Sequence, residues 1–242
     1  MLHHRVTDTL TSSESPVADL PGGPYDIEFF FDPGCPFAWQ TSVWIRRVAE
    51  LRDVKVGWRF ISLKFINEAN NPPPAMSEAQ QRGLRYHRIC AAARERLGND
   101  AVGALYKAFG DRYWYKEIPG DFGEKFAAAT ANVEPGAILA ELGLPADLLA
   151  EADNESWDPL IRAESDEAFR RTGPDVGTPI ISYFEADGTL GNSLFGPVIS
   201  DVPADDETTV ALYDALRVFV DYPGFAELKR TKRPPLDLPL FS

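Results

Sequence analysis

The chain has 242 residues, 44% of them apolar and 25% charged, and its fifteen Phe, eight Tyr and five Trp can build a core without disulfide staples. A formal net charge of −13 makes nucleic acid and anionic membrane surfaces poor partners. The two cysteines, Cys35 and Cys90, are too few for a disulfide framework, and with His3, His4 and His87 they show no zinc-type spacing, so no metal is expected.

Residues 1–24 are polar and rich in Ser, Thr, Pro and Gly, with no continuous apolar run of the kind a signal peptide needs; they read as a mobile arm. No stretch approaches a membrane span in length, so the expected compartment is a reducing cytoplasm in which both thiols rest reduced. Residues 25–31 (Tyr-Asp-Ile-Glu-Phe-Phe-Phe) form a short β-prone run halted by Asp32-Pro33-Gly34. From Pro36 to about residue 51, Phe37, Val43, Trp44, Val48 and Leu51 recur at helical spacing, and Pro36 can sit in the first turn without losing a needed donor. Residues 54–60 alternate at period two. A strand, a helix and a second strand in that order imply a parallel strand pair.

Asn70-Asn71-Pro72-Pro73-Pro74 breaks the pattern. Up to Gly173-Pro174 the chain then reads as helices over residues 77–97, 101–109, 122–130, 134–142, 146–152 and 157–171, with Ser77 and Asp121 as caps. A block this long is no loop. Strand pattern returns at residues 179–184, a turn at Asp187-Gly188 leads into residues 189–195 as a hairpin, and a last helix over 205–221 precedes a basic, proline-rich tail. The order β-α-β, helical insertion, β-β-α is an α/β thioredoxin topology. Residues 25–70 and 174–242 are assigned to the thioredoxin-fold domain and residues 71–173 to a helical subdomain that closes over it.

Cys35 follows a strand and a turn and opens a helix. Unpaired amides and the positive end of the helix dipole favour an anion there, so its thiol is expected to titrate below the usual ~8.5 and to act as a nucleophile. Gly177-Thr178-Pro179 opens the third strand, where this topology places a cis-proline opposite the cysteine. Phe37 and Trp39 flank the reactive position, and Asn67 could line a cleft or end a turn. His87 and Arg88 could face an anionic thiol or stay solvated, and Cys90 could be a distant resolving thiol or a buried apolar side chain. Phosphate-binding, dinucleotide and hydrolase nucleophile motifs are absent from the sequence.

The segment Phe31-Asp32-Pro33-Gly34-Cys35-Pro36-Phe37-Ala38-Trp39 resembles the Phe-Asp-Pro-x-Cys-Pro-Trp-Cys-Trp stretch of actinobacterial DsbA-like proteins, including the mycothiol-dependent nitroreductases. The likeness continues at Trp44, Ile61-Ser62-Leu63, Ile66-Asn67-Glu68, Val176-Gly177-Thr178-Pro179, Phe195-Gly196-Pro197-Val198 and the stretch from Tyr222 to Thr231, and it thins in the helical insertion. It implies a protein that uses mycothiol, or another low-molecular-weight thiol, as co-substrate, with no tightly bound cofactor. Ala38 stands where full redox motifs carry a second cysteine, which disfavours dithiol chemistry. Three readings follow. The first is a monothiol reductase acting through Cys35 on a small disulfide or electrophile, with Pro36, Phe37, Trp39, Asn67, His87, Thr178 and Pro179 around the thiol. The second resembles kappa-class glutathione transferases and their isomerase relatives, with Cys35 only positioning a bound thiol. The third is a binding protein that has lost catalysis.

Overall fold

The computed structural model describes residues 17–131 and 133–241. Four strands form one mixed sheet in the order β2-β1-β3-β4. The first, β1 (Ile27–Phe31), is buried along its whole length, as a central strand covered on both faces must be. Helix α1 (Pro36–Arg52) crosses over to β2 (Val56–Phe60), which pairs parallel with β1 in the register Ile27 to Val56. The strands β3 (Ile180–Phe184) and β4 (Leu190–Phe195) form the hairpin, and β3 runs antiparallel to β1. Helix α8 (Asp206–Asp221) follows and packs on α1, with Asp205 Oδ1 accepting from the Thr208 amide at its start. This is the thioredoxin topology.

Between β2 and β3 lies the helical insertion: α2 (Leu63–Ile66), α3 (Pro74–Leu97), α4 (Asn99–Trp114), α5 (Phe122–Ala131), α6 (Pro135–Glu141) and α7 (Asp158–Thr172). Two expectations need correction. Helix α3 starts at Pro74, with Pro73 as its cap and Ser77 already in its first turns, because a proline at the first helical position loses no hydrogen bond. Residues Ala146–Asp153 wind as a 3-10 helix. Asp121 does cap α5, in a reciprocal pair with Glu124.

The two faces of β1 receive different chemistry. Phe29 and Phe31 meet an aromatic cluster from α1, β2, α3 and α4, in which Tyr106 stacks on Phe31 at 3.9 Å between ring centroids. Glu28 and Phe30 meet α7 on the opposite face. There Arg59 and Arg171 both bond Glu28, and Glu164 takes Arg94. Ion pairs this deep add little net stability, but losing one partner costs about 3–5 kcal/mol, which fixes α7 to the sheet.

Of the arm expected over residues 1–24, residues 1–16 lie outside the described residues. From residue 17 the chain is packed rather than free. Val17 and Leu20 are buried, the Ala18 carbonyl accepts from Arg59, and the Pro21 carbonyl accepts from the Tyr25 hydroxyl.

Candidate active site

Cys35 is the N-cap of α1. Its backbone is extended, Pro36 takes the first helical position, and its sulfur accepts from the Ala38 amide at 3.5 Å, as a capping oxygen would. The preceding turn is held by Asp32, which is fully buried. One carboxylate oxygen accepts from the Gly34 amide at 2.7 Å and the other from the Leu63 amide at 2.7 Å, tying the Cys35 turn to α2. Helix α3 closes directly over this carboxylate at Gly83, where a Cβ would lie 2.9 Å from Asp32 Oδ1. The Thr178–Pro179 bond is cis, and the Cys35 thiol donates to the Thr178 carbonyl at 3.5 Å, while the Thr178 hydroxyl bonds back to the Phe30 carbonyl. β1, α1 and the start of β3 thus converge on one sulfur.

That sulfur lines a cavity of about 550 Å³, within the usual range for small-molecule sites. Asp32, Pro36 and Phe37 line the same cavity, and the far walls come from Leu63 and Asn67 and from the first turns of α3, at Met76, Ala79 and Gln80. Pro235, Leu236 and Phe241 of the tail close it over. The tail is a fixed strap: Ser200 Oγ donates to the Pro234 carbonyl, Gln40 Nε2 donates to the Asp237 carbonyl, and Leu238 and Leu240 are buried.

The expected low thiol pKa is corrected. Burial, first of all, pushes the Cys35 thiol up to about 12; the Ala38 amide and the Arg233 charge pull it down, and Asp32 adds to the rise. The helix start is present, but only 8% of the residue is exposed, and desolvation outweighs the cap. The same burial raises Asp32 to about 7 against the pull of its two amide donors.

Of the residues singled out from sequence, Pro36, Phe37 and Asn67 line the cavity with Cys35, and the Thr178 carbonyl of the cis bond to Pro179 lies 3.5 Å from its sulfur. Asn67 also serves locally, its amide donating to the Leu63 carbonyl at the end of α2. Trp39 is displaced from the site. It points into the core against α4, at Gly110, where a Cβ would lie 2.0 Å from the indole ring. His87 is displaced too, fully buried with Nε2 at 3.0 Å from the Phe31 carbonyl and its pKa lowered to about 3, chiefly by burial. Arg88 is neither solvated nor free for a ligand, because it is paired with Asp158. Cys90 is buried in the main core, where desolvation raises its thiol. Sequence reasoning missed Asp32 as a cavity group, although it lies inside the quoted motif, and missed Gln80 and the strap entirely. The spacing of Met76, Ala79 and Gln80 at i, i+3, i+4 was the available signal for one helix face.

A family model described as Rv2466c-like, mycothiol-dependent nitroreductase Rv2466c, matches residues 34–230. The uncharacterized protein Rv2286c of Mycobacterium tuberculosis is 30% identical over 209 residues, which cover 86% of this chain and 83% of that protein. Among solved structures, the cytosolic disulfide reductase DsbM from Pseudomonas aeruginosa is similar at 18% identity and a TM-score of 0.45, over 79% of this chain and 98% of that one. DsbA from Chlamydia trachomatis is similar at 12% identity and a TM-score of 0.42, over 88% and 96%. Matched over most of its length, the chain belongs to the Rv2466c-like family of mycothiol-dependent nitroreductases.

Proposed function

We propose that the protein is a cytoplasmic monothiol oxidoreductase that works through Cys35 with a low-molecular-weight thiol, mycothiol, as co-substrate. The observation that carries this reading is a single cavity-facing thiol capping α1, with the buried methyl group of Ala38 where a resolving cysteine would stand. The Cys35 thiolate attacks one sulfur of a small disulfide; the S–S bond breaks, the other half leaves as a thiolate and takes up a proton. A mycothiol thiolate then attacks the substrate sulfur of the Cys35 mixed disulfide, forms a new mixed disulfide with it and returns the Cys35 thiolate. No second protein thiol is needed.

Cys35 rests protonated, so its proton must leave first. Asp32 faces the same cavity and titrates at about 7, which suits it to accept that proton near neutral pH. Turnover should therefore rise as pH increases through about 7. The test is reduction of a small mixed disulfide, with mycothiol and with glutathione, by the wild type and by Cys35→Ser. The reading predicts turnover with mycothiol that Cys35→Ser abolishes.

One observation favours a second reading. A thiol held near 12 is a poor nucleophile at neutral pH, and a bound small thiol could be the attacking group while Cys35 merely positions it, in the manner of kappa-class glutathione transferases. Turnover retained in Cys35→Ser selects this reading over the first.

A further inference from the structure

Two polar groups at the cavity have no assigned task. Gln80 is 7% exposed and lines the cavity; among the described residues its side-chain amide has no hydrogen-bond partner. An amide without a protein partner on an otherwise apolar wall is a point at which a ligand atom can be bonded. Arg233 lies at the cavity mouth, its guanidinium 5.1 Å from the centroid of the Phe37 ring, and its charge reaches the Cys35 sulfur. Among the described residues no carboxylate lies within ion-pair distance of it.

The placement of Arg233 is not loose. Pro234 is bonded through its carbonyl to Ser200, and Asp237 to both Ser200 and Gln40, so the backbone on one side of the arginine is anchored. A chain of net charge −13 repels small anions at long range, and Arg233 puts one positive charge over Phe37 of the cavity wall. Between this cation and the Gln80 amide the walls are Pro36, Phe37, Leu63, Met76, Leu236 and Phe241. Such walls suit an apolar ligand body.

We infer that the cavity takes an apolar molecule bearing a carboxylate, with Arg233 as the group that selects the anion. The carboxylate sits on the guanidinium where it overhangs Phe37, the apolar body fills the space beneath the strap, and Gln80 bonds a polar atom at the inner end. The proposal rests on the cavity being the substrate site of the thiol chemistry. It separates charged from neutral members of one substrate class, and it assigns the strap a part in recognition.

The probes are 2-naphthoate and its neutral isostere 2-naphthamide, titrated calorimetrically into the wild type, Arg233→Gln and Arg233→Lys at low ionic strength. Neither probe reacts with a thiol, so their binding and the formation of a Cys35 adduct can fail independently. Naphthoate should bind about tenfold more tightly than the amide, as a charge-assisted hydrogen bond at a partly exposed site provides. Arg233→Gln should abolish the preference and leave amide binding unchanged, while Arg233→Lys should retain part of it. Equal affinities in the wild type, a preference that survives Arg233→Gln, or no binding of either probe would overturn the inference. Arg233 is exposed, and unchanged circular dichroism of the variants excludes a folding defect as the cause.

Discussion

The turn between β1 and α1 and the middle of α3 each hold one buried cysteine and one buried titrating group, yet only the first pair lines the cavity. Around Cys35 stand an amide donor, a carbonyl acceptor, the Asp32 carboxyl and a cavity. Around Cys90 stand the apolar side chains of the main core, and its neighbour one turn earlier, His87, is held by a backbone carbonyl between Phe31 and Phe60. Burial raises both thiols, so burial alone does not separate a reactive cysteine from an inert one. The separating features are access and polar partners for the charged form.

The largest effect expected from this contrast is all-or-none. Cys35→Ala should lose every adduct formed with a small disulfide, while Cys90→Ala should form it as the wild type does; a Cys90 adduct on folded protein would break the comparison. The next effects concern the two titrating groups, which should act in opposite directions. Asp32 is raised from 3.8 to about 7, so its contribution to stability is fully present below 3.8 and is lost as pH rises through about 7. His87 is lowered from 6.5 to about 3, so its contribution is present above 6.5 and is lost as pH falls through about 3. At ~1.4 kcal/mol per unit each slope amounts to several kcal/mol. Chemical denaturation at pH 4 to 8 should show the alkaline loss reduced in Asp32→Asn and the acid loss reduced in His87→Phe; parallel curves for variant and wild type would remove the electrostatic account. The smallest effect is Cys90→Ser, which puts a hydroxyl among apolar groups and should cost about 1–3 kcal/mol in urea unfolding without touching reactivity. Reactivity also sharpens the contrast across pH. Iodoacetamide should modify Cys35 faster with every step up to pH 9 without a plateau, whereas a plateau below pH 8 would mean that the cap outweighs burial.

Much of the frame was readable from residue pattern. The apolar run Ile27–Phe31, the period-two strand β2 and the helix between them specify a parallel pair through local preferences alone, and Cys35 falls at the cap because Asp32-Pro33-Gly34 ends the strand there. Thr178-Pro179 was legible for the same reason: it opens a strand. What pattern did not reveal is tertiary. His87 and Arg88 lie on a helix whose register against the sheet no spacing specifies, and α3 turned His87 toward the Phe31 carbonyl. The low thiol pKa was argued from the helix start, a local feature, and was overturned by burial, to which the distant Thr178 carbonyl and the tail strap contribute by closing over the sulfur. The strap itself reads as a proline-rich tail until Ser200 and Gln40 are seen to hold it.

The central claim is that one sulfur, Cys35, carries the chemistry in exchange with a small thiol. Intact-protein mass spectrometry after incubation with mycothiol disulfide tests it most directly. The account predicts a single mycothiol adduct that maps to Cys35 and is released by free mycothiol; an unmodified protein, or an adduct mapping to Cys90, would contradict it.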